Sequence, residues 1–104
     1  MKRVYVSGPM TGLPDLNFPA FHTETQRLRL LGYSVINPAE LNKDESCRAK
    51  CMRLDILALT MCDAIQLLPG WLRSQGAQLE LAIAKELGMQ VFYAHGPLTE
   101  PCNV

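Results

Sequence analysis

Residues 63–94 read DAIQLLPGWLRSQGAQLELAIAKELGMQVFYA, and this stretch decides the fold. Its first six residues are a strand-like run that stops at Pro69-Gly70. Ser74 then opens a helix that ends at Gly88, and 90–94 (QVFYA) is a second strand-like run. Strand, helix and strand joined by short connections make a βαβ unit, whose two strands lie parallel.

The same alternation continues towards the N-terminus. Residues 3–7 (RVYVS) form a strand ended by Gly8-Pro9. Asn17 is placed as a helix N-cap, with Pro19 in the first turn, where its missing N–H is harmless. Phe18, Phe21, Thr25, Leu28 and Leu31 follow at helical spacing, and Gly32 supplies the stop. Residues 33–37 (YSVIN) form a strand closed by Pro38; a polar loop at 39–45 leads to a helix at 46–61. The order β-α-β-α-β-α-β, with right-handed crossovers, predicts a single-domain α/β sandwich of flavodoxin-like or Rossmann-like type. Its four-stranded parallel sheet has order 2-1-3-4 and helices on both faces, and strands this apolar suit a sheet buried on both sides. The domain is expected to span 1–95, with a loose tail at 96–104 containing Pro97 and Pro101.

Composition narrows the function classes. Ten Lys and Arg balance ten Asp and Glu in 104 residues, without the basic footprint of a protein that binds a nucleic acid polymer. No apolar run approaches the ~20 residues of a membrane span. Met1-Lys2-Arg3 is followed by too few apolar residues for a secretory signal, so a cytoplasmic location is expected. Cys47, Cys51, Cys62 and Cys102 are accordingly expected to be reduced, and His22 and His95 complete no metal-ligand spacing.

An open α/β sheet binds ligands beyond the carboxyl ends of its strands, where strand order reverses. Here that point lies between strands 1 and 3. The first loop there runs Ser7-Gly8-Pro9-Met10-Thr11-Gly12-Leu13-Pro14-Asp15. Its glycines would let backbone N–H groups approach an anion, although it matches neither G-x-G-x-x-G nor a Walker A loop. An ordinary strand-to-helix connection is the competing reading.

Two carboxylates stand out. Glu80 has Gly76, Ala77, Ile83 and Ala84 as its helical neighbours; Asp55 has Cys51, Met52, Ala58 and Leu59. A carboxylate on an apolar stripe pays a desolvation cost and calls for a raised pKa or a dedicated partner, which makes it a functional candidate. The alternative is that each emerges at the edge of its stripe. Tyr5 lies in the central strand near the ligand edge. Trp71 either stacks on a base or covers the sheet end. Ser74, with Gly76 behind it, is either a plain N-cap or a phosphate cradle. Asp63 is read as structural and His22 as surface.

Order and spacing of these residues resemble the nucleoside 2-deoxyribosyltransferase-like superfamily. Within it the chain is most similar to a short, often phage-associated family of uncharacterised domains. The resemblance covers about residues 3–94 and rests on Tyr5-Val6-Ser7-Gly8-Pro9, Asn17-Phe18-Pro19-Ala20-Phe21, Gly32-Tyr33, Asn37-Pro38, Asp55, Asp63 and Ser74-x-Gly76-x-x-x-Glu80. It implies that Glu80 is the nucleophile attacking C1′ of a deoxyribose, that Tyr5 orients it, and that Asp55 handles the proton of the leaving base. A Ser at position 74 matches members that hydrolyse nucleoside 5′-monophosphates, whereas an Asp there marks those acting on free nucleosides. Ser7, Gly8, Pro9, Met10, Asp15 and Trp71 are the further substrate contacts expected with Ser74 and Gly76. The resemblance calls for no metal or cofactor and implies a homodimer or higher homo-oligomer. Cleavage or transfer at an N-glycosidic bond is the leading expectation. A non-catalytic nucleotide-binding module and an assembly protein with an apolar patch around Trp71 are the alternatives.

Overall fold

The computed structural model describes residues 2–41 and 48–93. Cys47, His95, Cys102, the beginning of the 46–61 helix and the 96–104 tail lie outside the described residues. The strands are β1 (Arg3–Ser7), β2 (Ser34–Ile36), β3 (Ala64–Leu67) and β4 (Gln90–Tyr93). The helices are α1 (Phe18–Leu30), α2 (Pro38–Leu41), α3 (Arg48–Leu59) and α4 (Gln75–Glu86). All strand pairs are parallel, in the order β2-β1-β3-β4. The expected flavodoxin-like α/β sheet is therefore present.

Side chains alternate across a strand, so β1 divides the core in two. Val4 and Val6 face α1 and pack with Phe21, Leu28 and Leu68. Tyr5 faces the other way and packs with Leu59 of α3, Ile65 and Leu67 of β3, and Leu81 and Ala84 of α4. Ser7 shares the side of Tyr5, because residues i and i+2 line one face. Asp63 has the structural place expected for it. Its carboxylate accepts the Arg3 backbone N–H at 2.9 Å, while its own N–H donates to the Arg3 carbonyl at 2.8 Å.

Three local expectations are corrected. Residues 38–41, read as the end of a strand and part of a polar loop, form the short helix α2. Asn37 caps it: its side-chain oxygen accepts the Ala39 N–H at 2.9 Å, with Pro38 at the first helical position. Asn17 does not cap α1 through its side chain. Its backbone is left-handed (φ 61°), and its side-chain amide donates to the Pro9 carbonyl at 2.9 Å, tying the first loop to the helix start. Leu31, expected on the buried stripe, is 63% exposed because it lies beyond the last helical residue and the stripe ends at Leu28.

The two loops at the switch point are locked together. The Leu68 N–H donates to the Ser7 carbonyl at 2.8 Å, and a Cβ on Gly8 would lie 2.7 Å from the Leu68 Cβ. Gly70 has φ +88°, and a Cβ there would meet Pro9 at 3.2 Å. Gly8 is thus required by close packing of one loop on the other, and Gly70 by both packing and backbone conformation.

Candidate functional site

A cavity of about 560 Å³ opens at this edge of the sheet. Gly8, Pro9, Met10 and Thr11 wall it from the loop after β1, Cys51, Met52 and Asp55 from α3, and Arg73 to Ala77 and Glu80 from the start of α4. Leu16 and Pro38 complete the apolar lining. Both carboxylates picked out from the sequence face this one space, although they stand on different helices.

Glu80 is 5% exposed, in the second turn of α4. The Tyr5 hydroxyl donates to its Oε2 at 2.9 Å, and the Ser7 hydroxyl donates to its Oε1 at 2.6 Å. Burial pushes the Glu80 carboxyl up from 4.5 to about 7; the two hydroxyls oppose that rise, and the charge of Asp55 adds to it. Burial and the neighbouring Glu80 carboxylate hold the Tyr5 phenol well above its ordinary range, so it remains a proton donor to the carboxylate at neutral pH. Asp55 is 6% exposed and lines the same cavity. Two buried carboxylates beside a solvent-connected space form a charge arrangement that packing alone does not require.

Ser74 is the N-cap of α4; its Oγ accepts the Ala77 N–H at 3.1 Å. A hydroxyl that accepts in this way retains its own proton for a further bond. The first N–H groups of a helix have no intrahelical acceptor, so those of Gln75 and Gly76 stand at the same end as the Ser74 hydroxyl. Arg73 precedes them on the Trp71–Arg73 turn and lines the cavity too.

The structure brings Gly8, Pro9, Met10, Asp55, Ser74, Gly76 and Glu80 to the cavity wall. It separates others from it. Asp15 is exposed and outside the lining, because Asp15, Leu16 and Asn17 run through left-handed backbone (φ 53°, 53° and 61°) that presents Leu16 instead. Trp71 is not in the lining either: its ring packs against Tyr93 at 5.9 Å, in the cluster that contains Tyr5 and Leu67. Tyr5 and Ser7 stand behind Glu80, beneath the lining. Met52 and Cys51 were missed by the sequence reading. Met52 and Cys51 precede Asp55 by three and four residues, a spacing that puts them on its helix face, and this was the available signal. Among the described residues no group of three or more His, Cys, Asp or Glu is placed to hold a metal ion, and no helix is long and apolar enough to cross a membrane.

The fold recurs in a solved 2-deoxyribosyltransferase from the psychrotolerant bacterium Bacillus psychrosaccharolyticus. The TM-score is 0.71 at 20% identity, covering 96% of this chain and 78% of that one. At that identity the likeness establishes the shared fold. No curated protein matches the chain. Residues 2–93 match the family described as a domain of unknown function, DUF4406, and the chain belongs to that family.

Proposed function

We propose that the protein cleaves or transfers the N-glycosidic bond of a (deoxy)nucleoside 5′-monophosphate or nucleoside, with Glu80 as nucleophile. The observation that carries this reading is a buried carboxylate at a cavity wall with a hydroxyl donor on each oxygen and a second buried carboxylate, Asp55, facing the same space. Retaining glycosyl transfer needs such a pair, one group to attack the anomeric carbon and one to protonate the leaving group. The similarity in fold to a 2-deoxyribosyltransferase supports the same class of substrate.

In the reactive form the carboxyl pair holds a single proton, on Asp55: the ionised Glu80 attacks C1′, the C1′–N bond breaks, and Asp55 gives that proton to the departing base. The resulting glycosyl ester passes to water, releasing the sugar, or to a second base, giving a new nucleoside. Asp55 takes the proton of that incoming group and is restored. Tyr5 fixes the attacking carboxylate. Ser74, the free N–H groups of Gln75 and Gly76, and the Arg73 cation suit a phosphate at the other end of the substrate, which favours nucleotides over free nucleosides.

The test is release of free base from a panel of deoxynucleoside 5′-monophosphates and deoxynucleosides, with and without an acceptor base. Wild type should release base, faster from monophosphates, and Glu80→Ala should lose at least about 10³-fold in turnover, the scale on which removal of a covalent nucleophile is felt. Turnover should fall as pH rises past about 7, where the pair of Asp55 and Glu80 loses the one proton that the first step needs. Binding of these compounds without release by either protein would establish a nucleotide-binding module instead.

A further inference from the structure

We propose that Ser7 is a positioning residue for Glu80 and not a substrate contact: with Tyr5 it forms a two-hydroxyl clamp that fixes the plane of the carboxylate. The inference rests on the reading of Glu80 as nucleophile and adds a role to a residue expected from the sequence to meet the ligand.

The geometry is specific. Ser7 is 1% exposed and does not line the cavity, so a ligand there does not reach its side chain. Its hydroxyl lies 2.6 Å from Oε1 of Glu80, while that of Tyr5 lies 2.9 Å from Oε2. The final torsion of a Glu side chain is broad and nearly two-fold, so a carboxylate held at one oxygen still turns about its last bond. A donor on each oxygen removes that freedom. The spacing follows from the strand: Tyr5 and Ser7 are two residues apart on β1 and present their side chains on one face, about 7 Å apart along the chain. The strand itself is fixed, since Tyr5 pairs with Ile36 and Ile65 and Ser7 pairs with Leu67. The Ser7 carbonyl also accepts the Leu68 N–H.

Removing the hydroxyl has a directional consequence. The groups facing Glu80 are Tyr5 and Ser7 from β1 and Asp55 from α3, with Arg73 lining the same cavity beside α4. The two hydroxyls favour the ionised carboxylate, and burial and Asp55 oppose it. Loss of Ser7 Oγ leaves Oε1 without its donor in a buried place, and the proton is held more tightly.

The experiment is a carbon-detected NMR titration of the Glu80 carboxyl in wild type, Ser7→Ala and the near-isosteric Ser7→Cys. It is paired with kcat and KM for base release on any substrate that turns over. The titration midpoint should rise by about one pH unit in Ser7→Ala, as loss of one hydrogen bond to a charged group implies, and by less in Ser7→Cys, whose thiol is a weak donor. kcat should fall about tenfold at neutral pH with KM unchanged. A wild-type midpoint in whichever of the two variants folds overturns the clamp, as does a raised KM with kcat intact, the mark of a substrate contact. The titration needs no turnover, so failure of the glycosidase reading and failure of the clamp give different results.

Discussion

The two faces of the sheet are built from the same strands to different ends. On the α1 side, Val4, Val6, Phe21, Leu28 and Leu68 form an apolar core, and the buried polar side chains there, Thr25, Asn37 and Gln66, do not ionise. On the α3 and α4 side, one residue along the same strands, Tyr5 and Ser7 meet Glu80, and Asp55 is buried nearby. Among the described residues only the second buries carboxylates, which cost free energy to bury, and that cost falls beside the cavity. One face holds the sheet together; the other carries the cost of buried carboxylates beside the cavity.

Breaking the first face tests this division most severely. Phe21→Ala removes a ring that is 1% exposed, and should cost about 3–5 kcal/mol in urea-induced unfolding. The fraction that stays folded should keep its wild-type Glu80 titration. A shift of that titration would mean that the two faces are not independent.

The second face should reveal itself through pH. Glu80 has its carboxyl raised from 4.5 to about 7, so the folded chain holds this proton more tightly than the unfolded chain. Its contribution is complete below about pH 4.5 and is lost as pH rises through about 7. Between these limits the folded protein should lose about 3 kcal/mol from this group. Glu80→Gln should flatten that slope and stand above wild type at pH 8, in thermal or urea unfolding measured across the range. An unchanged slope in Glu80→Gln would mean that burial of this carboxylate is not what strains the face.

The fold was legible because it is written in short-range patterns. Strand runs alternate with helical spacing, and Gly32 and Gly88 mark the ends of α1 and α4, where the Tyr33 and Met89 N–H groups turn back to the Leu28 and Ala84 carbonyls. The two carboxylates were legible for the same reason, since apolar neighbours at three and four residues are a local signal. What the sequence hid depends on backbone geometry or on distant partners. The left-handed run at Asp15–Asn17 has no glycine to announce it, and it puts Leu16 and not Asp15 in the cavity lining. Trp71 carried two readings with no local pattern to choose between them, and its ring went to Tyr93, which is 22 positions on. Ser7 was legible as a loop residue near the ligand, whereas its partnership with Glu80 spans 73 positions and needs the assembled sheet. Asn37 is the exception. Its position before Pro38 is a helix-start signal that a reading of Pro38 as a strand terminator passed over.

The smallest effect separates two glycines that the sequence treated alike. Gly8 and Gly76 were both read as openings for a ligand. A Cβ on Gly8 would press against Leu68 at 2.7 Å, so Gly8→Ala should cost about 1–3 kcal/mol through overpacking of the two loops. A Cβ on Gly76 would meet Met52 Sδ at 3.6 Å, an ordinary contact, within the first turn of α4. Gly76→Ala should leave the stability unchanged or raise it by up to about 1 kcal/mol, because Ala is the better helix former. Its effect should fall on the ligand, as weaker stabilisation of the melting temperature by deoxynucleoside monophosphates than in wild type. Gly8 would then be glycine for the fold and Gly76 for the site. Unimpaired nucleotide stabilisation in Gly76→Ala would show that the backbone at the start of α4 is not approached closely, and would leave Arg73 and the Ser74 hydroxyl as the groups to test for holding a phosphate.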